Sequence, residues 1–589
     1  MTLRGREYLQ RPMTAVAPES LLQRAGLSEF RPGQREAVLA ALAGRDSLVV
    51  MPTGGGKSLC YQLPALALER PVLVVSPLIA LMTDQLRRAH ELGIGAAMLA
   101  SGMPEGHNRR ALEAIGDGSA RVILAAPERF ASRAFRDAVS AVGVGLFVVD
   151  EAHCVSEWGH DFRPDYLRLR EAAEALAGDG ARPPIMALTA TATPRVADEI
   201  AERLAMRDRL DVRAGFDRPN LAFDVVAVEG KGAIARKRST LLHVLGDAGA
   251  LPAIVYCGTR KDTDTVAELL RGAGVGAVAY HAGMSGGARE ASQSAFMDGR
   301  AEAVVATSAF GMGVDKADVR TVAHWALPTS LEAYYQEAGR AGRDGEPARA
   351  VLLSSRMDLG RLIRFNTERT TSVDDVKGFV GALRGRGGGG PVAIGHGTLG
   401  EHERVLLSIA ERAGAVELAP GGHEGLLVTP TGRGSPRRAW QAIKAARDRG
   451  WESYRSIERY SSARSCRREQ ILEHFADATA LVRAGRCCDV CDPDPGLAAA
   501  AAQEIRASRG RPRAGGAIPD GSSEYEALRA WRQERAGGSP AFTVASNAVL
   551  EEVVRVRPAS EPELLAIRGI GKGFCERHGE SLLAAIASL

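Results

Sequence analysis

Long apolar runs are missing from this chain. Nowhere in its 589 residues do about 18 apolar residues follow one another, so no membrane-spanning helix is expected. The first twenty residues, MTLRGREYLQRPMTAVAPES, lack the apolar core of a signal peptide, which makes the cytosol the expected compartment. Cysteine is scarce, with eight in all, and in a reducing compartment structural disulfides are not expected. A large charge of one sign is missing too: the formal net charge of +4 says little about partners. The positive charge is carried mostly by Arg rather than Lys, which favours bidentate phosphate contacts but is equally the mark of a biased genome. What is present, 45% hydrophobic and 25% charged residues with few aromatics, is the composition of a soluble globular protein. The length exceeds what one core can organise and points to roughly three to five domains.

Short apolar runs alternate with amphipathic stretches over the first 360 residues. SLVVMP (47–52), PVLVVSP (71–77), VILAAP (122–127), GLFVVDEAH (145–153) and IMALTATAT (185–193) read as buried parallel strands. The pattern restarts with AIVYC (253–257), AVAYH (277–281), AVVATSAF (303–310), TVAHWA (321–326) and ARAVLL (348–353). After a tail of 1–20, two tandem α/β lobes are expected at 21–214 and 215–368. A Gly-rich stretch (383–400) reads as a loop, EHERVLLSIAERAG (401–414) as a helix, and AVELAPGGHEGLLVTP (415–430) as a hairpin, which together suggest a winged-helix-like module at 369–435. A basic helical module (436–492), a flexible linker (493–522) and a compact helical unit (523–589) complete the expected order.

Two motifs carry chemistry. In VVMPTGGGKSLC (49–60) a Gly-rich turn stands between a strand and a helix. The backbone N–H groups of Thr53, Gly54, Gly55 and Gly56 can cradle phosphates, Lys57 would reach the β- and γ-phosphates, and Ser58 would ligand Mg²⁺. The strict pattern has Gly at position 51, where Met stands. In LFVVDEAH a strand ends in two acids: Asp150 would hold Mg²⁺, and Glu151 would orient or deprotonate a water. The two together make an ATPase.

Further motifs give the chain its resemblance. FRPGQ (30–34), PTGGGKS (52–58), SPLIALMTDQ (76–85), DEAH (150–153), TATAT (189–193), VVATSAFGMGVDKADVR (304–320) and YYQEAGRAGRDG (334–345) appear in order, and DEAHCVSEWGHDFRPDY (150–166) is the most diagnostic. Over roughly residues 25–355 the chain resembles a RecQ-like superfamily 2 DNA helicase. The resemblance implies that Arg31 and Gln34 read adenine, with Leu27 where the family often has an aromatic. It implies that Gln336, Arg340 and Arg343 face the γ-phosphate from the second lobe. It also implies that His153, Trp158, Phe162 and Arg163 couple DNA to ATP, with 3′→5′ polarity.

Cys60, Cys154 and Cys257 are flanked by apolar residues and read as buried hydrophobes, and Cys575 stands alone. The family has a four-cysteine zinc site that begins in a helix reading CRR. Cys466, in CRREQILEHF, with Cys487, Cys488 and Cys491 from RCCDVC, fits it, although the family spaces the last three as C-x-x-C-x-x-C. His474 or Asp489 is an alternative ligand. The family also places its winged helix after the zinc module, whereas here it precedes it. The hairpin tip carries no aromatic wedge, which leaves His423 or the zinc and helicase surfaces for strand separation. The tail resembles the helicase-and-RNaseD C-terminal (HRDC) fold, with GIGKG (569–573) either a phosphate-contacting turn or a packing turn.

The expected protein is a bacterial, nucleoid-associated, monomeric helicase needing ATP, Mg²⁺ and Zn²⁺. Its substrate would be single-stranded and duplex or branched DNA, with single-strand-binding or repair proteins as partners and no membrane. The rival readings are a translocase or RNA helicase without DNA unwinding, and a DNA-structure-binding protein with an inactive ATPase.

Overall fold

The computed structural model describes residues 16–588 except 78, 101–102, 105, 157–165, 167, 178–179, 231, 312–315, 369–370, 396–398, 421–425, 483, 503–522, 537–543, 546, 568–569 and 572–573. The chain divides into two compact units, residues 1–505 and 506–589.

The apolar runs near the start become strands of a parallel sheet: β1 (Ser47–Val50), β2 (Val72–Val75), β3 (Ala96–Leu99), β4 (Val122–Ala125), β5 (Leu146–Val149), β6 (Ile185–Thr189) and β7 (Leu210–Arg213). Their order is β3-β4-β2-β5-β6-β1-β7. Every residue of SLVV, VLVV, VILA and LFVV is buried, as helices on both faces of a parallel sheet require. Two strands escaped the sequence pattern. β3 is a short, alanine-rich AAML, and the edge strand β7 exposes Asp211 and Arg213.

The second lobe repeats the plan with β8 (Leu221–Ala227), β9 (Ala253–Tyr256), β10 (Ala277–Tyr280), β11 (Ala303–Ala306), β12 (Thr321–His324) and β13 (Ala348–Ser354), in the order β10-β11-β9-β12-β13-β8. All pairings are parallel. β8 is an edge, and Cys488 bridges to it at Phe223: Phe223 N donates to Cys487 O (3.1 Å) and Asp489 N to Phe223 O (3.3 Å). The cysteine segment thus covers part of an edge that would otherwise present free backbone groups.

Between this lobe and the cysteines lies a small antiparallel sheet, β14 (Val392–Ile394), β15 (Val416–Pro420) and β16 (Leu426–Pro430), ordered β14-β16-β15. Helices Val373–Gly387 and Glu401–Arg412 pack their Val380, Leu383, Leu407 and Ile409 against Val416 and Val428, a winged-helix-like arrangement that precedes the cysteine module. The stretch 383–400 is therefore not all loop: it begins as a helix end and contains β14. A 27-residue helix, Pro436–Ser462, follows, then helix Arg467–His474. Helix Pro495–Ala502 lies in the expected linker and buries Leu497 in the second lobe's core. In the second unit, helices Ser523–Ala536, Asn547–Val556, Glu561–Leu565 and Glu580–Ala587 close around Leu528, Leu550, Val553, Leu564 and Leu582. Among the described residues no helix is long and apolar enough to cross a membrane.

Candidate nucleotide and metal sites

β1, β6 and β5 are neighbours, so the loops after their C-terminal ends converge, where parallel sheets form ligand crevices. The loop after β1 holds Thr53–Ser58, and helix Leu59–Ala65 follows it. Gly54 and Gly56 have φ of +83° and +77°, which excludes most side chains. A Cβ on Gly56 would also collide with Gln34 Nε2. Met51, in place of the usual glycine, is fully buried beneath Gly55. Lys57 Nζ donates to Met51 O at 3.3 Å. Arg31 donates to Gly54 O, and Gln34 Nε2 donates to Gly55 O (3.2 Å) and Gly56 O (3.1 Å), so both brace this loop. Leu27 is 36% exposed.

Asp150 and Glu151 follow β5. Asp150 Oδ2 accepts from Gln85 Nε2 (2.8 Å) and Ser76 Oγ (3.3 Å), while Oδ1 accepts from Glu151 N (3.0 Å). Glu151 is left-handed, φ 48° and ψ 47°, a conformation that costs about 1–3 kcal/mol in a non-glycine residue and so must be held by its surroundings. Here His153 Nδ1 lies 3.3 Å from Glu151 Oε2 and 3.1 Å from Thr189 Oγ1 at the end of β6. Trp158, Phe162 and Arg163 lie outside the described residues. On either side of them, Ser156 Oγ donates to Glu199 (2.6 Å) and Tyr166 OH to Asp150 O (3.1 Å).

Gln336 lies on helix Leu331–Ala338 of the second lobe, and Arg340 and Arg343 follow it. Gln336 and Arg340 line a cavity of about 350 Å³ together with Tyr256, His324 and Glu337. Arg343 crosses to the first lobe: a Cβ on Gly54 would lie 3.5 Å from its Cγ. Burial, with Arg340 and Arg218 nearby, pushes the Arg343 guanidinium down to about 9. A polyanion between the lobes would relieve that crowding. Arg343, Arg340, Lys57 and the loop's N–H groups are a donor set that fits a nucleotide's phosphates, and Ser58 and Asp150 are the hard oxygen donors that a divalent cation takes. Sequence reasoning missed Gln85 and Ser76, which hold Asp150, and Arg218 and Asn220, whose FDRPN segment matches no phosphate-binding pattern.

The sulfur atoms of Cys466, Cys487, Cys488 and Cys491 lie within 4.8 Å of one another, the only such cluster among the described residues. Cys466 Sγ and Cys487 Sγ are 3.6 Å apart, against about 3.8 Å between ligands in a tetrahedral site with Zn–S near 2.3 Å. Burial and Cys466 push the Cys487 thiol up to about 12. Burial opposes ionisation of Cys488 too, but the N–H groups of Arg467, Cys491 and Val490 bring it down. Both alternative ligands are engaged elsewhere. Asp489 takes a bidentate Arg467 (2.9 Å and 2.9 Å), and His474 pairs with Glu332 at 2.6 Å. Four thiolates in this arrangement suit zinc. His423 and three residues of GIGKG lie outside the described residues, while Ile570 is buried in the second unit's core.

Comparison with known proteins agrees. The DEAD/DEAH box helicase family matches residues 31–200, the helicase conserved C-terminal domain 236–345 and the HRDC domain 524–586. The ATP-dependent DNA helicase RecQ of Bacillus subtilis is 33% identical over 589 residues, 95% of this chain and 96% of that protein. The chain belongs to the RecQ family of ATP-dependent DNA helicases. Other RecQ relatives share the helicase lobes. The Pasteurella multocida RecQ is 40% identical over 62% of this chain and 56% of its own length. For the Caenorhabditis elegans RecQ-like DNA helicase blm-1 the figures are 40% identity, 60% of this chain and 36% of that protein, so the chain spans about a third of this longer relative. Helicase domains imply ATP with a divalent metal, and DNA as the substrate.

Proposed function

We propose that this RecQ-family chain translocates 3′→5′ on single-stranded DNA and unwinds duplex or branched DNA in recombination and repair. The observation that carries the reading is Arg343 lying against Gly54, which supports a nucleotide site shared by the two lobes. Thr53–Ser58 would cradle ATP, with Lys57 on the β- and γ-phosphates. Arg31 and Gln34, which brace that loop, would read the adenine. A magnesium ion held by Ser58 and Asp150 would supply neutralisation of phosphate charge. Glu151, fixed by His153 and Thr189, would accept a proton from the attacking water at Oε2. Gln336, Arg340 and Arg343 would stabilise the charge spreading over the γ-phosphoryl oxygens, and only when the lobes are closed.

His153, beside Glu151, would couple the site to Trp158, Phe162 and Arg163, which would stack on bases and hold phosphates of one strand. Closure and reopening would then advance the strand. Each base-pair step opened costs on average about 1.4 kcal/mol in stacking. Cys466, Cys487, Cys488 and Cys491 would hold a structural zinc.

Purified protein should show DNA-stimulated ATPase that Lys57→Ala abolishes, and should displace strands from a 3′-tailed but not a 5′-tailed DNA duplex. Opening only RNA duplexes, or only 5′-tailed DNA, would sink the proposal.

A further inference from the structure

Residues 216–220, FDRPN, join the first lobe to β8 and are gripped from two sides. On one side is the cysteine module. The Phe216 ring stacks on Phe475 with centroids 4.1 Å apart and 1° between planes, and Phe216 N donates to Asp477 Oδ2 (2.5 Å). Asp217 pairs with the buried Arg468 (2.5 Å) and accepts from Val482 N (2.9 Å). On the other side is the arginine loop. Arg218 donates to the carbonyls of Gly339 (3.2 Å), Ala341 (2.8 Å) and Gly342 (3.0 Å). Asn220 Nδ2 donates to Gly342 O (2.8 Å) and Glu346 O (2.9 Å).

Those carbonyls alternate along the chain with Arg340 and Arg343. The approach is close enough that a Cβ on Gly342 would stand 2.5 Å from Asn220 Nδ2. The helix leading into the loop is clamped by the same neighbours. Tyr335 OH donates to Phe216 O (2.9 Å), and Glu332 pairs with His474 of the module. The helix ends at Gly339, where carbonyls run out of intrahelical partners, and a half-buried guanidinium and a side-chain amide supply the missing donors. The arrangement fixes where two neighbouring guanidiniums stand.

We propose that Arg218 and Asn220 are positioning residues for Arg340 and Arg343, and that the cysteine module sets the rate of ATP hydrolysis by holding this strap against the arginine loop. The proposal rests on the ATPase reading above. Misplacing a catalytic group by about 1 Å can cost on the order of 10²-fold in rate.

The test uses the full chain. Arg218→Lys keeps the charge and loses the fork, Asn220→Asp keeps the shape and removes the donor, and Asp217→Asn and Phe475→Leu loosen the module's side of the strap. Arg349→Lys is the control, because Arg349 bridges Asp224 of β8 (2.6 Å) and Asp494, just beyond the cysteines (2.7 Å), without touching the strap. The expected result is a fall of about 10²-fold in DNA-stimulated kcat for the first two variants, with KM for ATP and affinity for an oligo-dT strand within about twofold. ADP with aluminium fluoride should bind them more weakly by the same factor while ADP alone binds as before. The strap variants should follow to a smaller degree, and Arg349→Lys should not. A changed KM at constant kcat overturns the proposal, as does an equal loss in Arg349→Lys. A wild-type protein without DNA-stimulated ATPase would instead refute the parent reading.

A separate surface carries a second inference. In helix Pro436–Ser462, Trp440 is 55% exposed, and Lys444 Nζ lies 5.5 Å from its ring centre. Arg437, Trp440, Lys444 and Arg447 share one helix face, with Arg433 and Arg438 beside it. All of these residues are exposed, and none of the basic side chains is ion-paired to a described residue. An exposed indole among unpaired cations matches the chemistry of a single nucleic-acid strand: a ring to stack a base and cations for its phosphates. We infer that this face binds a DNA strand outside the helicase lobes, given the DNA-helicase reading. With oligo-dT, Trp440→Ala should weaken binding about tenfold and Trp440→Phe should restore most of it. Lys444→Glu with Arg447→Glu should flatten the log-affinity against log-salt slope by about 0.7 for each phosphate no longer neutralised. ATPase without DNA should stay unchanged in all. Unaltered affinity and slope in these variants would overturn the inference.

Discussion

Replacing Cys487 or Cys488 with serine tests whether two adjacent residues both serve one metal. Structural zinc contributes about 10–16 kcal/mol of apparent free energy in small sites, or about 2.5–4 kcal/mol per thiolate if shared equally. Loss of either sulfur should therefore weaken zinc binding by about 10²-fold or more. Both sulfurs sit within the 4.8 Å cluster, so the two variants should lose metal alike. His474→Ala should keep it, because that ring is spent on Glu332. Metal content after dialysis against a graded chelator reads the affinity, with one zinc per chain expected for the wild type. Hydrogen exchange reads the consequence: amides around Phe223 and Cys488 should lose protection on chelation, while β1 and β5 in the first lobe should not. Full metal retention in Cys487→Ser, coupled with loss in His474→Ala, would refute the four-thiolate site and the geometric reasoning behind it.

Other perturbations should separate catalysis from stability. Arg343→Ala should lower kcat by about 10³–10⁵-fold with ATP binding largely kept, measured by steady-state ATPase and nucleotide titration; a pure KM effect would count against it. Burial raises the Glu332 carboxyl, but hydrogen bonding and charge from His474 outweigh it and bring the group down to about 2, against 4.5 in the unfolded chain. Its contribution, about 3 kcal/mol at about 1.36 kcal/mol per pH unit, is fully present above about pH 4.5 and lost as pH falls towards 2. The stability gap between wild type and Glu332→Gln should therefore shrink on acidification, and a gap that widens would contradict the pairing. Asp46 takes Arg182 (2.6 Å) and the N–H groups of Ile185 (2.8 Å) and Arg207 (2.6 Å), and the Asp46 and Arg182 side chains are buried. Asp46→Ala should cost about 3–5 kcal/mol in denaturant unfolding, since it strands Arg182 without its anion.

Strands buried on both faces were legible because VLVV or LFVV between amphipathic stretches admits little else, and the phosphate loop and DEAH were legible because their spacing is local. β7 and β8 were harder: LDVR and LAFDVVA place acids inside strands, and their partners β1 and β13 are far away in sequence. The same distance hid the roles of Arg218 and Asn220. Nothing near FDRPN announces an arginine loop some 120 residues on, and only the fold brings the carbonyls of Gly339–Gly342 to them. The cysteine set was anticipated by resemblance rather than by spacing. What excludes His474 and Asp489 is their capture by Glu332 and Arg467, an outcome of packing that no spacing rule contains.

The pairing of Phe223 with the segment at Cys488 closes a ring of some 265 residues through the second lobe. The winged-helix-like module is thus an insertion inside a closed circuit, and a single proteolytic cut within it would leave two fragments still stitched together. Synthesis meets the same closure in time. The first lobe's sheet is complete once residue 213 has emerged, but the outer margin of the second waits for residue 488. Such distant pairing makes for slow folding, and the nascent chain carries an unfinished sheet edge from the emergence of β13, which ends at Ser354, until Cys488 follows.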